Sequence, residues 1–404
     1  MYSIDRLAEQ YVRLSLQIGL HCPNFVDAYY GPKEWLPIES KLPLDSIKIS
    51  LKEAIVRAGE LPKEETRQQE RRFELLLIQI KAAVVYVDML QGNFLSFSKE
   101  CDSLYDAKPL AQPAEDFDKV LIELEELLPG TGELNSRLNR YREGFAIPVG
   151  KLERVFSAAI NEARRRTLLH IDLPANESFE VELVTDQVWS AYNWYKGNSF
   201  SLIELNTDFP IQIERAIDLA AHEGYPGHHV FNALMEKHLV NKNRWMEYSI
   251  YNLFSPISLL AEGSANYGIE VAFPWQERLV FEKEVLFPLA GIDPSLCDKY
   301  YQIQQVLHKL SYSDNMIAQR FLDGEIDESA AIELLMKYGL NSPEKARQRL
   351  SFIKQNRAYV ITYNYGQDLV KCYLQSQLKR FDHNELWAVF AELLANPRSG
   401  SMMK

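Results

Sequence analysis

The chain has 404 residues, enough for one large catalytic body or for roughly two or three smaller domains. Hydrophobic residues make up 47% of the sequence and charged residues 25%, which is the balance of a soluble globular protein. The formal net charge of −12 argues against a nucleic-acid-binding protein and against binding to anionic membranes, because both need a basic face.

The N-terminal residues mix charged and apolar side chains, which is unlike a signal peptide. No stretch of the sequence reaches the roughly 18 apolar residues that a membrane span requires. The four cysteines (Cys22, Cys101, Cys297 and Cys372) are widely separated, so we expect reduced and mostly buried thiols. These features favour a cytoplasmic protein with no membrane partner.

The N-terminal part of the chain has the spacing of amphipathic helices. Apolar residues recur every three or four positions over 3–20, 45–60 and 63–105, and again over 114–128. Residues 71–90 are apolar on more than one face, so we expect this stretch to lie between other helices.

One region departs from helical spacing. Residues 179–185 (FEVELVT) and 200–206 (FSLIELN) are short and rich in alternating or β-branched apolar residues, which predicts strands, with 189–195 (WSAYNWY) as a third. Helical spacing returns after a capping residue at Thr207 or Asp208, with Pro210 near the first turn. Further helices are predicted over 256–271, 276–289, 299–323, 327–338, 343–355 and 365–380.

The predicted fold is therefore mainly α, with one small antiparallel sheet. The charged tract 342–350 (SPEKARQRL) is interpreted as a solvated helix face.

Three of the eight histidines fall in one stretch, HEGYPGHH, which begins at His222. Imidazole and carboxylate groups are ligands that zinc prefers. On a regular helix, residues six apart are rotated by roughly 240°, so His222 and His228 could not share an ion. Pro226 and Gly227 predict a break that brings His228 back beside His222. His229 is a weaker candidate, because a straight helix places it about 10 Å further along the axis.

The alternative for this stretch is a helix end that Gly-Tyr-Pro-Gly stops, with histidines near the negative end of the helix dipole. Glu262 is the candidate third ligand. It lies between a Leu-Leu-Ala run and small residues, where a carboxylate is costly to bury unless a positive group meets it. The alternative interpretation is that Glu262 lies on the exposed face of an amphipathic helix.

Segments along nearly the whole chain resemble the DUF885 family. HEGYPGHH resembles the family pattern H-E-x-x-P-G-H, and AEGSANYGIE (261–270) resembles its downstream E-G-W-A-x-Y segment. NRAYVITYNYGQDLV (356–370) resembles a late stretch of the family, and NFVDAYYGPKEW (24–35) a segment of its soluble branch. Members are regarded as zinc metallopeptidase-like proteins of the zincin group, so the resemblance implies a zincin-like helical catalytic body.

The resemblance also implies roles for individual residues. By position, His222, His228 and Glu262 match the zinc ligands, and Glu223 matches the presumed general base. Tyr363 matches the tyrosine of a late Tyr-x-x-Gly pattern. We consider it a candidate donor to the oxyanion of the tetrahedral intermediate, and packing in the core is its alternative.

The sequence departs from the family pattern at several places. Gly366 matches the glycine of the late pattern, but the proline and glycine that precede the late tyrosine are absent. Ser264 stands where the family has tryptophan, which is expected to change a wall of the pocket. A D-x-G-x-H pattern has no counterpart.

These expectations describe a zinc-dependent hydrolase, and most directly a metallopeptidase that cleaves short peptides. The alternatives are a zinc amidase or esterase acting on a small metabolite, and a non-catalytic helical interaction protein that keeps the fold. Residues 1–145 are expected to roof the cleft and 146–404 to form the catalytic region, as one continuous structural unit. Strand 200–206 is expected to offer an unpaired edge to an extended substrate. Asp218 is interpreted as a solvated helix charge, with orientation of a metal ligand as its alternative.

Overall fold

The computed structural model of the protein describes residues 2–37, 41–62, 66–187, 189–380 and 382–404. Most of them are helical, which confirms the mainly α fold class. The α-helices are, in chain order, α1 (Ile4–His21), α2 (Leu44–Ala58), α3 (Arg67–Leu90), α4 (Phe97–Tyr105), α5 (Ala114–Leu127), α6 (Leu134–Glu143), α7 (Leu152–Leu168), α8 (Arg215–Leu219), α9 (His228–Met235), α10 (Pro256–Ala272), α11 (Trp275–Phe281), α12 (Phe287–Ala290), α13 (Cys297–His308), α14 (Ser313–Leu322), α15 (Glu328–Tyr338), α16 (Pro343–Asn356), α17 (Ile361–Gln377) and α18 (His383–Ala395).

The predicted helix over 63–105 is two helices, α3 and α4, and its first positions, 63–65, lie outside the described residues. A turn separates the two helices, and in this turn Gly92 has a φ of 88°, in the left-handed region that glycine tolerates best. The predicted helix over 299–323 is likewise divided, into α13 and α14.

The three predicted strands form one sheet, but it is mixed, so the expectation of an antiparallel sheet is wrong. The strands are β2 (Ser178–Val184), β3 (Ala191–Gly197) and β4 (Phe200–Asn206), in the order β2-β4-β3. A tight turn joins β3 to β4 as an antiparallel hairpin, whereas β2 pairs with β4 in parallel. The central strand is β4, and its alternate side chains are buried. Strand β2 is an exposed edge strand.

A second sheet was not predicted. It pairs β1 (Val26–Tyr29) with β5 (Ile250–Asn252) in antiparallel orientation. Strands this short carry too few residues for an alternating apolar pattern to be visible in the sequence.

The helix predicted after Pro210 begins later than expected, at Arg215. The preceding residues form bends, a turn and one isolated β-bridge between Gln212 and Ala146 instead, because their backbone pairs with the segment that follows α6. The amide of Ile147 donates to the carbonyl of Ile211 at 2.8 Å, and the amide of Ile213 donates to the carbonyl of Phe145 at 2.9 Å. Long-range pairing thus overrides the local capping signal.

One hydrophobic cluster extends from Leu7 on α1 to Met403 near the C-terminus. It includes apolar residues of the N-terminal helices together with those of α10, α17 and α18. The core is therefore shared by the regions 1–145 and 146–404. All four cysteines are free thiols, of which Cys101 and Cys297 are buried. Among the described residues, no helix combines the length and the apolar character that crossing a bilayer demands.

Candidate metal centre

The break predicted by Pro226 and Gly227 is present. Helix α8 passes into a π-helical turn, Ala220–Gly224, and the chain then reverses before α9 begins at His228. The amide of Gly227 donates to the carbonyl of Ala221 at 2.9 Å. A Cβ atom on Gly227 would lie 1.9 Å from the carbonyl oxygen of His222, so only glycine fits this turn.

The reversal brings the two imidazole rings together. The Nε2 atoms of His222 and His228 lie 3.1 Å apart, and the ring planes are almost perpendicular, at 86°. Both side chains are mostly buried and line one cavity. Two residues that a straight helix would hold on different faces therefore share one site.

Glu262 enters the same site from α10. Its Oε2 atom lies 3.2 Å from Nε2 of His222 and 3.6 Å from Nε2 of His228. The side chain is buried, so the alternative of an exposed helix stripe is wrong for Glu262. One ligand atom from each residue lies within 4.8 Å of the other two.

Contacts around the triad orient its ligand atoms. Asn266 donates from Nδ2 to the backbone carbonyl of Tyr363 at 2.9 Å, so its Oδ1 atom faces Nδ1 of His222 at 3.0 Å. Because Oδ1 only accepts, the neutral form of the His222 ring carries its proton on Nδ1 and a lone pair on Nε2. The hydroxyl of Tyr359 donates to Oε1 of Glu262 at 2.7 Å and leaves Oε2 without a hydrogen-bond donor.

This arrangement could hold a zinc ion. When the lone pair on Nε2 of His222 faces Oε2 of Glu262, either a proton or a metal cation between the two atoms relieves their repulsion. Tetrahedral zinc with bonds of about 2.0–2.1 Å separates its ligand atoms by about 3.3–3.4 Å. The observed separations of 3.1, 3.2 and 3.6 Å bracket that value. Two imidazoles and one carboxylate are also a ligand set known from catalytic zinc sites.

The charges of the triad are strongly coupled. Burial raises the pKa of Glu262, but His228 and His222 outweigh burial and hold this pKa below its ordinary value. Burial lowers the pKa of His228, but Glu262, Glu223 and Asp27 outweigh it and raise this pKa to about 9. A proton on His228 and a divalent cation thus compete for the same negative site.

Glu223 lies beside the triad, on the π-helical turn. Its carboxylate is buried, lines the cavity and contributes to the charge that acts on His228. The side-chain amide of Asn193 on β3 donates to the backbone carbonyl of Glu223 at 2.7 Å and so ties this turn to the sheet. The position fits a general base that works next to a metal ligand.

Tyr363 on α17 also lines the cavity. Its ring meets the ring of Tyr359 edge-on, with centroids 5.7 Å apart. Burial and the charge of Glu262 raise the pKa of Tyr363 well above its ordinary value, so the phenol stays protonated near neutral pH and can donate a hydrogen bond.

Three other residues that the sequence analysis considered, His229, Ser264 and Asp218, do not contact the triad. His229 is fully buried, and its two ring nitrogens meet Ser201 Oγ at 2.8 Å and Glu177 Oε2 at 3.0 Å, so neither is available to an ion. The side chain of Ser264 is buried and donates to the carbonyl of Ala261 at 3.2 Å. Ser264 is not among the described residues that line the cavity, so this serine is not itself part of the pocket wall.

Asp218 neither orients a ligand nor stands alone in solvent. Its Oδ1 atom forms an ion pair of 2.8 Å with Arg278, and Asn266 occupies Nδ1 of His222 instead. The interpretation of Asp218 as a solvated helix charge is therefore wrong.

The centre opens into a cavity of about 1920 Å³. Residues from β1 and β3, and from helices α10, α16 and α17, line it, as do Arg142 and its neighbours on α6. The expectation that strand 200–206 offers a free edge is wrong, because β4 lies between β2 and β3. Within this sheet, most of the residues that line the cavity belong to β3, and within the described chain its second edge pairs with no strand.

Sequence reasoning missed Tyr359, Asn266 and Asp27. Asn266 lies one helical turn after Glu262, and Tyr359 one turn before Tyr363, so helical spacing from the candidate residues could have located both. Asp27 on β1 accepts a hydrogen bond from the hydroxyl of Tyr192. Its burial raises its pKa to about 6, against the effect of Tyr192 and His228. Asp27 lies in the segment 24–35 that resembles the family, but no residue spacing there marked it as part of the site.

Comparisons with known proteins address the fold alone. No protein-family model and no curated protein matches the chain. A solved structure from Colwellia psychrerythraea, described as a "putative lipoprotein", is similar with a TM-score of 0.54 and 16% sequence identity, over 92% of this chain and 70% of that chain. A "putative lipoprotein of unknown function" from Shewanella oneidensis gives a TM-score of 0.48 and 12% identity, over 89% of this chain and 72% of that chain. At 16% identity, the first likeness indicates a shared fold and nothing further.

Proposed function

We propose that this protein is a zinc-dependent hydrolase that cleaves short peptides. The observation that carries the proposal is the convergence of His222 Nε2, His228 Nε2 and Glu262 Oε2 at separations of 3.1 to 3.6 Å. These residues come from three helical segments, and one of their ligand atoms is a buried carboxylate oxygen without a donor. A buried cluster of ionisable groups adds little to the stability of a fold, because the cost of desolvating the charges offsets their attraction, so such a cluster favours a functional role.

A bound zinc ion supplies a Lewis acid that lowers the pKa of water toward neutrality and polarises a carbonyl group. Asn266 keeps the proton of His222 on Nδ1, and Tyr359 keeps Oε1 of Glu262 occupied, so the remaining lone pairs point to a common centre. Glu223 accepts a proton from the attacking water and returns it to the leaving amine. Tyr363 donates a hydrogen bond to the oxygen of the tetrahedral intermediate.

Two features favour peptides over small metabolites. The cavity of about 1920 Å³ exceeds the range of roughly 300–1,000 Å³ that is usual for small-molecule pockets. Residues of β3, an edge strand of its sheet, also line the cavity, and an extended peptide can pair with an edge strand through backbone hydrogen bonds. An amidase or esterase for a small metabolite would need neither feature.

The test combines metal analysis with a cleavage assay on protein purified without a histidine tag. We expect close to stoichiometric zinc by mass spectrometry, hydrolysis of short peptides from an unbiased library, loss of hydrolysis with a chelator and recovery with zinc. A panel of small esters and amides, measured in parallel, separates the peptidase from its closest alternative. Only traces of zinc after resupply would favour the non-catalytic alternative instead.

A further inference from the structure

A second, smaller pocket of about 330 Å³ adjoins the large cavity. Helices α14 and α16 and the segment after α15 form most of its wall. Ten of its residues also line the large cavity, among them Arg142, Lys345, Arg349 and Phe352, so the two spaces communicate. Any ligand of the large cavity can therefore extend into the smaller pocket.

The smaller pocket is positively charged in a protein whose net charge is −12. Its wall includes three cations, Arg142, Lys345 and Arg349, and one carboxylate, Asp314. Asp314 pairs with Nε of Arg349 at 2.7 Å. Arg142 and Lys345 form no ion pair with any residue in the described part of the chain.

Burial opposes the charge of both cations, although the ring of Phe209, whose centroid lies 4.8 Å from Nζ of Lys345, partly offsets this effect for Lys345. Burial lowers the pKa of Arg142, although its side chain remains charged near neutral pH. Lys345 is exposed at one side, but the surrounding wall and the nearby Arg142 lower its pKa as well. The carboxylate of Glu214 acts on Arg142 at longer range and accepts a hydrogen bond from Tyr300. An anion between Arg142 and Lys345 would relieve their mutual repulsion.

The pocket adds to the interpretation of the tract 342–350 as a solvated helix face. Pro343, Glu344, Lys345 and Arg347 are exposed, as that interpretation expects. However, Lys345, Gln348 and Arg349 also line the pocket from the first turns of α16. Gln348 donates to the backbone carbonyl of Gln187 at 3.1 Å, which anchors α16 to the segment between β2 and β3. Lys345 and Arg349 thus belong to the wall of a cavity.

A line of packed side chains joins the pocket to the metal centre. The guanidinium of Arg349 lies 4.7 Å from the centroid of the Phe352 ring. The ring of Phe352 lies 6.5 Å from the ring of Tyr363, which lies 5.7 Å from the ring of Tyr359 beside Glu262. The cations are therefore at one end of a continuous wall and the metal ligands at the other.

We propose that the pocket formed by Arg142, Lys345 and Arg349 binds a carboxylate group of the peptide substrate. This inference rests on the proposed hydrolase function and assigns its substrate class as peptides that carry a negative charge at the end held away from the metal centre. Carboxylates match the pocket because guanidinium and ammonium groups form charge-assisted hydrogen bonds with them. The carboxylate is either the free C-terminus of the peptide or an acidic side chain.

Binding by the full-length protein, measured without turnover, tests the proposal. Isothermal titration calorimetry compares acetyl-trialanine with its C-terminal amide on protein stripped of metal, and again on zinc-loaded Glu223→Gln protein. We expect the free acid to bind about tenfold more tightly than the amide, the scale of one charge-assisted hydrogen bond. Acetyl-Ala-Ala-Asp-amide and its Asn counterpart show whether an acidic side chain serves equally well.

Substitutions test which residues cause the preference for the free acid over the amide. We expect Lys345→Gln and Arg142→Gln to reduce the preference for the free acid, and Lys345→Arg to retain it. The matched control is Lys371→Gln, because Lys371 lines the same large cavity but already pairs with Glu270 at 2.8 Å. Lys345 lies at the surface, so its replacement leaves the fold intact even if Arg142→Gln does not fold.

Equal binding of the acid and the amide would overturn the proposal, as would a preference that survives both Lys345→Gln and Arg142→Gln. The result is separable from the hydrolase function, because metal-free binding needs no catalysis. A protein that binds the acid selectively but cleaves nothing would contradict the proposed function and leave the carboxylate pocket standing. A protein that cleaves the acid and the amide equally well, and binds them equally, would contradict the carboxylate pocket and leave the proposed hydrolase function standing.

Discussion

Gly263 on α10 and Gly366 on α17 meet backbone to backbone. A Cβ atom built on Gly263 would lie 2.4 Å from the carbonyl carbon of Gly366, and one built on Gly366 would lie 2.8 Å from the carbonyl oxygen of Leu259. The two helices can therefore approach more closely than any pair of larger residues would allow. This approach places Glu262, next to Gly263, against the tyrosines that line α17 and the segment before it.

Replacing Gly366 by alanine should therefore separate the two helices. We expect Gly366→Ala to lower the free energy of unfolding by about 1–3 kcal/mol, the usual cost of overpacking a core, and to weaken zinc binding. Urea denaturation and a competitive chelator titration measure the two effects. Gly150→Ala is the control, because a Cβ atom at Gly150 meets nothing within 4 Å. Wild-type stability and zinc affinity in Gly366→Ala would show that the close approach has no structural role.

Glu223→Gln should separate metal binding from catalysis. Glutamine keeps the shape of the side chain but cannot accept the proton, so we expect full zinc content and a fall in kcat of about 10²–10⁴-fold. Zinc analysis and peptide cleavage rates provide the measurement. Glu270→Gln is the control, since Glu270 lines the same cavity but pairs with Lys371. We expect this variant to retain the wild-type kcat. Wild-type kcat in Glu223→Gln would mean that another group accepts the proton.

Asn266→Ala should weaken zinc binding without removing a ligand. The substitution removes the acceptor that holds the proton of His222 on Nδ1, and losses of about 10- to 100-fold in metal affinity are typical of such contacts. A competitive chelator titration gives the affinity. Asn232→Ala serves as control, because Asn232 lines the cavity but makes no side-chain hydrogen bond among the described residues. Equal affinities in the two variants would contradict the assigned tautomer of His222.

Glu282 predicts a pH dependence of stability. Burial raises its pKa from 4.5 to about 8, although Arg278 and a hydrogen bond from Tyr301 act in the opposite direction. Between these pH values the carboxyl is protonated in the folded protein and ionised in the unfolded chain. The folded state then binds the extra proton, so the free energy of unfolding falls as the pH rises through this window, by up to about 1.4 kcal/mol per pH unit.

Glu282→Gln should remove this component of the pH dependence. We expect the variant to gain stability relative to wild type on going from pH 5 to pH 8, measured by urea denaturation at several pH values. The control is Glu284→Gln on the same helical segment, because Glu284 is exposed. Parallel pH profiles for wild type and Glu282→Gln would show that Glu282 ionises normally in the fold.

Local chemistry made part of the fold and of the metal centre predictable. The three- and four-residue spacing of apolar residues located most helices, because burying one face of a helix demands that spacing. Pro226 and Gly227 predicted the reversal that unites His222 with His228, since both residues act on the backbone at their own positions. The mixed sheet escaped prediction, because strand order depends on which strand is best buried rather than on any local pattern.

The sequence by itself determined the mainly α class and the pairing of two imidazoles across a broken helix, because both follow from interactions within a few residues. Only the tertiary structure decided that Glu262 faces those imidazoles, with Tyr359, 97 residues away, donating to its carboxylate. It also decided that Asn266, 44 residues from His222, selects the tautomer of that ring, and that Lys345 and Arg349 of α16 line a cavity. Such relationships depend on how helices cross, and helix crossing is set by packing between segments that are remote in the chain.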